Sequence, residues 1–420
     1  MKRNIVASFI ALFFCIVCSN YSLYAQNTDL VDSAQTDLLA DTSMKYFVPD
    51  IPHKDMRWTR GSNKLFSYQV GFAILLDYDW NIQNNTSINL VGKQPTEFDL
   101  RSARMTLRGK IAFKVPWSYL IGVEYKGFDR PDDVSPFGLT DLKFVVPLGK
   151  NADLTFGKIK ETFCYEMVGD AANLPQQERL LSPFFKSRNT GIVFKKYLFN
   201  DRMTIAGGWF NDWFSGGPGT NTFTTRITGL PKWQLEGKQY IHSAVALRYT
   251  QAVNDAVTLK GKNQTNVGTY YVNTKSFTAG NQLNLGIEEL WSMENFSVLM
   301  EYIHNWTSTP TGPQQFDGYY ITTSYVISGG QRPYDYRAAY ARRIRPDDRS
   351  GAWELVAQFG RVNLDNRAIH GGLNKRYTFG LNWWANQYWK AGMTYGISNL
   401  YLNEVVGVTN TFQWRIQWIF

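Results

Sequence analysis

From residue 65 the chain alternates side-chain character with a period of two. Phe66, Tyr68, Val70, Phe72, Ile74, Leu76, Tyr78 and Trp80 take every second position, with Ser67, Gln69, Gly71, Ala73, Leu75, Asp77 and Asp79 between them. Successive side chains of a β-strand point to opposite faces, so this run predicts one long strand with an apolar and a wetter face. The dyad recurs where Ala103, Met105, Leu107, Gly109, Ile111 and Phe113 alternate with Ser102, Arg104, Thr106, Arg108 and Lys110. It recurs again where Tyr377, Phe379, Leu381 and Trp383 lead through Ala385-Asn386-Gln387 to Trp389, Ala391, Met393, Tyr395 and Ile397, which predicts a hairpin. Candidate strands cover 65–80, 99–113, 117–128, 139–148, 152–162, 188–198, 202–211, 239–250, 266–276, 281–291, 296–305, 317–328, 351–361, 376–384, 388–397 and 410–420. Tight turns such as Gly149-Lys150-Asn151 alternate with long segments, 212–237 and 253–280 among them. The stretch 163–188, with Glu178, Arg179, Lys186 and Arg188, is long and follows the fifth strand, a position that predicts a constriction loop folded inward.

A secreted sandwich or propeller also alternates, but its strands average about 5–6 residues, whereas a tilted membrane strand needs about 9–11. The expected class is therefore all-β: a transmembrane antiparallel β-barrel of about 16 strands. Composition agrees with it. Aromatic residues make up 15% of the 420 positions and charged residues 19%, which excludes a disordered chain. The mean hydropathy of −0.31 and the lack of long apolar runs beyond the first 18 positions exclude a helical membrane bundle. A barrel resolves the contrast, because only alternate residues meet lipid.

Lys2 and Arg3 precede an apolar stretch from Ile5 to Cys18, and Leu23-Tyr24-Ala25-Gln26 reads as a cleavage site, so residues 1–25 are expected to be a signal peptide. Residues 26–60, aspartate-rich and aperiodic, are expected to be a periplasmic extension or linker, and 61–420 the barrel. Cleavage lowers the formal charge of +9 by two, to +7. Without a compact Lys/Arg run in an exported chain, that excess points to small anions rather than nucleic acid. Cys15 and Cys18 leave with the leader, and Cys164 alone is expected to be a buried bystander.

Catalytic and metal-binding motifs are absent, and no cofactor is expected. His304, with Asn305 and Ser297, is the nearest approach to a hydrolase site. Glu288 and Glu301, on adjacent candidate strands, read as lumen lining rather than an acid/base pair. The informative pattern is the polar face. Its bases include Arg104, Arg108, Lys110, Lys126, Lys143, Lys195, Arg248, Lys390 and Arg415; its acids include Asp77, Asp79, Glu124, Asp141, Glu288, Glu301 and Glu354. Arg104 and Arg108 stand about 13 Å apart on one strand face, spaced to hand an anion along a pore wall.

The final strand, with Phe412, Trp414, Ile416, Trp418 and Phe420, resembles the assembly signal of bacterial outer-membrane barrels. Further motifs resemble the phosphate-selective porin O/P family over roughly 65–420. These are Gln331-Arg332-Pro333-Tyr334-Asp335, Arg343-Ile344-Arg345-Pro346, Gly351-Ala352-Trp353-Glu354-Leu355 and Thr378-Phe379-Gly380-Leu381-Asn382-Trp383, preceded by Arg101-Ser102-Ala103-Arg104, Gly157-Lys158-Ile159-Lys160 and Glu178-Arg179. Gly330-Gln331 departs from the acid that the family usually carries before its R-P-Y segment. The resemblance implies a 16-stranded homotrimeric pore in outer-membrane lipid, placed there by the barrel-assembly machinery through Phe420, with an inward loop and basic side chains that pass phosphate-like anions. It matches Lys160 and Arg179 to the family's loop lysine and arginine. The expected path is lined by Arg104, Arg108, Lys110, Lys126, Lys160, Arg179 and Arg248. A general diffusion porin for sugars or peptides is the alternative, and a barrel hydrolase on lipid or peptide is a further one.

Overall fold

The computed structural model describes residues 59–125, 137–211, 220–366 and 369–420. The expected leader, nearly all of the extension, and Lys126 lie outside the described residues. Sixteen antiparallel strands close into a barrel. They are β1 (Ser67–Gln83), β2 (Glu97–Ile111), β3 (Trp117–Tyr125), β4 (Phe137–Pro147), β5 (Ala152–Ile159), β6 (Asn189–Leu198), β7 (Met203–Phe210) and β8 (Thr222–Gln234). They continue with β9 (Gln239–Gln251), β10 (Asn281–Met293), β11 (Phe296–Ser308), β12 (Gln314–Val326), β13 (Ala352–Asn366), β14 (Ile369–Trp384), β15 (Trp389–Leu402) and β16 (Val405–Ile419). Each strand pairs with the next, and β1 pairs with β16 from Ala73↔Ile419 to Gln83↔Thr409, so the sheet closes on itself. The last residue takes part: Phe420 N–H donates to Phe72 O at 2.8 Å and Phe72 N–H to Phe420 O at 3.1 Å.

The expected strands are found with one exchange. Residues 266–276 are not a barrel strand, since Val272–Asn273 pairs only with Lys260–Gly261 inside a long connection. Thr222–Gln234, expected to be part of a loop, is β8. Its threonines occur at both parities, Thr222, Thr224 and Thr228 facing in and Thr225 lying on the other face, which flattens the alternation that reveals the other strands.

The outward face carries aromatic residues in two bands. Near the turn ends Trp353 stacks on Trp383 and Trp389 lies against Trp418; midway along the strands Tyr319, Phe359 and Tyr377 form one group, and Phe412 and Tyr395 another that Trp80 joins from the loop end of β1. His304 belongs to this outer face, its ring 4.3 Å from Trp306, whereas Ser297 is buried inside against Ser324 at 2.8 Å. The two therefore sit on opposite sides of the wall, which excludes them as a nucleophile and base.

The connections depart from a simple contrast of long loops and short turns. On the loop side the connections 160–188 and 252–280 are long, but 309–313 and 403–404 are short. On the turn side, where β1 begins and β16 ends, five-residue or shorter turns are interrupted by one long segment, 327–351, between β12 and β13. All three long connections bond to inward-facing side chains of the barrel, as Leu174 O does to Lys390, Asn263 Oδ1 to Ser398 and Tyr334 OH to His242.

They enter because the inner wall is not uniformly polar. Leu290 (β10), Leu299 and Ile303 (β11), Phe316 and Tyr320 (β12), and Val362 and Leu364 (β13) face inward and pack against Phe163, Tyr165, Met167, Leu180, Leu181 and Phe184 of the 160–188 segment. Cys164 is buried in the same cluster. Burying each such side chain stabilises by about 1.5–3 kcal/mol, so the apolar face of the segment docks on β9 to β13; its main chain is bonded to β14, β15 and β16 through Pro175 O, Leu174 O and Ala172 O, and the turn-side half of β2 is left open, with Arg108 and Lys110 exposed.

Candidate functional site

Ionic anchors fix the segment where its apolar side chains dock. Glu301 (β11) accepts the N–H of Tyr165 at 2.7 Å and of Glu166 at 3.3 Å, and Glu166 accepts the N–H of Leu181 at 2.9 Å, drawing the two ends of the loop together. Glu288 is bound by Arg226 at 2.6 Å and lies 3.4 Å from His242. Both glutamates are thus structural partners in a packed joint. At the far end of the loop Arg415 (β16) holds Asp77 (β1) and Glu178, each at 2.6 Å, and donates to Gln177 O at 2.5 Å. Arg101 adds a second guanidinium to Glu178 at 2.6 Å. It can do so because a β-bulge opposite Leu75 and Leu76 turns both Arg101 and Ser102 inward. Burial alone would raise the Glu178 carboxyl, but Arg101 and Arg415 pull it down to about 2.

Two expected path residues belong to these anchors. Arg248 (β9) is paired with Glu161 at 2.6 Å, and Arg179 is buried with its Nε donating to Glu166 O at 2.5 Å. Their cationic character was legible in the sequence; their partners, 87 and 13 residues away, were not.

The wall from β2 to β6 carries the remaining expected cations that lie among the described residues. On β2, Arg104 is half-buried and pairs with Glu124 at 2.8 Å, while Arg108 and Lys110 are exposed toward the turn side. Lys143 (β4) and Lys195 (β6) continue the inner face. Lys160, just past β5, donates to Val168 O at 3.2 Å, to Gly169 O at 2.8 Å and to Asp170 at 2.8 Å. Its ammonium holds the Asp170 carboxyl well below the usual carboxylate range. Asp170 also feels Arg104 and Arg342, so one carboxylate is ringed by cations from the wall, the loop and the turn-side segment. Donors already set around a carboxylate at half-exposed positions can receive a second oxyanion by the same charge-assisted bonds.

Arg342 and Arg343 were missed as site residues in the sequence. Their motif is visible there, but nothing local says that a turn-side connection folds back into the barrel. A usable signal was the apolar character of β11 and β12 at both parities, which requires cover on the inner face.

The family model of phosphate-selective porin O and P matches residues 76–404. A comparison with curated protein sequences returned no match. Among solved structures the chain is similar to the anion-selective porin from Comamonas acidovorans (TM-score 0.55, 9% identity, 84% of this chain and 100% of that one). It is similar also to the trimer form of in-vitro folded OmpT from Vibrio cholerae (TM-score 0.53, 9% identity, 84% and 99%) and to OmpF of Salmonella typhi in complex with daunomycin (TM-score 0.52, 10% identity, 86% and 100%). At such identities the structures speak for the fold, a 16-stranded porin barrel, and the family match for the rest. The chain belongs to the phosphate-selective porin O and P family of bacterial outer-membrane porins.

Proposed function

We propose that this porin passes anions, phosphate-like oxyanions among them, along the wall from β2 to β6, with Arg104, Arg108, Lys110 and Lys160 supplying the path. The observation that carries this reading is the asymmetry of the lumen: the apolar face of the inward segment seats on β9 to β13 and its far end is tied to β14 to β16, while Arg108 and Lys110 on the turn-side half of β2 stay exposed. In a narrow passage with low-dielectric walls a small excess of fixed charge is focused into ion preference. Arg179 and Arg248 serve the path indirectly, by holding the loop away from it. In planar bilayers, phosphate added to a chloride current is expected to reduce that current in a saturable way; an unchanged chloride current would reduce the channel to a general anion porin.

The channel is further proposed to work as a homotrimer joined through the outward wall of β16, β1 and β2, where Phe98 is 83% exposed beside Tyr78 and Trp80 and Ile82 stand open nearby. Cross-linking of the detergent-purified protein is expected to stop at three chains; a product of one chain only would refute the contact.

A further inference from the structure

The chain enters the barrel at the turn side, beside the open part of the cationic wall. Arg60–Ser62 forms a short strand against the first residues of β1, with Arg60 opposite Gln69 and Ser62 opposite Ser67. Gln69 is in turn opposite Arg108 of β2, whose Nε donates to Gln69 Oε1 at 3.2 Å. Residues directly opposite one another share a face of the sheet, so Arg60, Gln69 and Arg108 lie side by side on the inner wall, the two arginine-bearing strands about 10 Å apart. Lys110 follows on the same face, nearer the turn end of β2. Arg60, Arg108 and Lys110 are exposed, and none has a carboxylate partner among the described residues, in contrast to Arg104, which Glu124 holds. Their charges repel one another and leave this part of the mouth short of a counter-charge.

That counter-charge is carried on the chain just ahead of the barrel. Between residues 26 and 44 lie Asp29, Asp32, Asp37 and Asp41, and no lysine, arginine or histidine. Closer to the barrel the signs mix, Asp50 and Asp55 accompanying Lys45, Lys54 and Arg57. Residues 42–58 connect the acidic stretch to Thr59 and span at most about 60 Å. Sixteen strands spaced about 4.8 Å apart and tilted by about 40° close a barrel about 30 Å across, so the stretch can reach every cation of the turn-side mouth. Attached beside the cations it complements, it is present there at about millimolar effective concentration, without the cost of bringing two molecules together.

We infer that the acidic stretch 26–44 docks on Arg60, Arg108 and Lys110 at the turn-side mouth, as a tethered anion that competes with permeating anions. This rests on the anion path proposed above and adds an occupant supplied by the chain itself. A negative tether at the turn side is drawn into the mouth when the loop side is positive and driven out when it is negative, so the competition depends on polarity. The test compares wild type, the quadruple variant D29N/D32N/D37N/D41N and the control D50N/D55N, the folding of each checked by the heat-dependent shift of its gel migration. In planar bilayers at about 0.1 M KCl the quadruple variant is expected to pass about twofold more current than wild type with the loop side positive, and the same current with it negative. D50N/D55N is expected to match wild type, and in about 1 M KCl, where charges are screened within about 3 Å, all three are expected to coincide. A second readout reports position. With Ala34→Cys on the stretch and Thr106→Cys between Arg104 and Arg108, a bismaleimide is expected to join the two within one chain, as read by mass spectrometry of the linked peptides, and about 1 M KCl to suppress the link; Cys164 is buried and stays out of the reaction. Quadruple-variant currents equal to wild type at both polarities in an anion-preferring channel, or no link between the two cysteines, would overturn the docking and leave the anion path standing. Cation preference in the wild type under a KCl gradient overturns the anion path, and the competition with it.

Discussion

Replacing Arg415 by alanine is expected to destabilise the folded barrel by about 3–5 kcal/mol, the cost of leaving buried carboxylates without their cation. Arg415 is 2% exposed, and its Nε and Nη2 donate to Asp77 at 2.7 and 2.6 Å while Nη2 also meets Glu178 at 2.6 Å. Without it Asp77 loses the ion pair it makes among the described residues, and Glu178 is left with Arg101 there. The change also removes the bond to Gln177 O, so the far end of the inward loop loses its tie to β16. Two readouts follow from that double role: a lower midpoint for urea unfolding in detergent, and larger, noisier single-channel currents as the loop leaves its wall. Arg415→Lys is expected to recover little, because one ammonium cannot reproduce a fork shared between two carboxylates and a carbonyl. A midpoint shift worth less than about 1 kcal/mol would show that the loop is held by its apolar face alone.

The second large effect concerns the cationic wall. Arg104→Gln, Arg108→Gln and Lys110→Gln together remove three charges from one strand face without altering the anchors on β9 to β16. A unit charge about 5 Å from a permeating ion contributes about 0.8 kcal/mol even at the dielectric constant of water. Three such charges, partly screened by salt, are therefore worth about tenfold or more in the permeability ratio. The triple variant is expected to be nearly unselective, with its stability close to that of wild type apart from the released Glu124, whose partners are Arg104 and Ser102. A triple variant as selective as wild type would move the path away from β2.

How much of this was legible depends on what each strand faces. β1, β2 and β14 to β16 have an apolar outer face and a polar inner one, and their period-two pattern identifies them directly. β8 failed because threonine suits either face. β10 to β13 could be found, but their inner apolar residues, such as Leu299, Ile303 and Tyr320, were not read as a docking site, and so the side on which the lumen closes was not foreseen. Sign and face of a charge can be read from the chain, and Arg104, Arg108 and Lys110 were. Which carboxylate reaches it across the lumen cannot: Arg415 meets Asp77 and Glu178 across more than two hundred residues of sequence. The same limit hid the turn-side segment 327–351, whose motif was visible but whose inward course is set by contacts with Tyr165, His242 and Asp201.

The proposed passage is the cationic part of the wall that stays open when the inward loop docks by its apolar face. The reversal potential of the wild-type channel in a planar bilayer under a KCl gradient tests it most directly. The asymmetric lumen predicts a potential of the sign set by chloride, which collapses toward zero in the Arg104→Gln, Arg108→Gln, Lys110→Gln variant. A wild-type potential of the sign set by potassium would contradict the proposed passage.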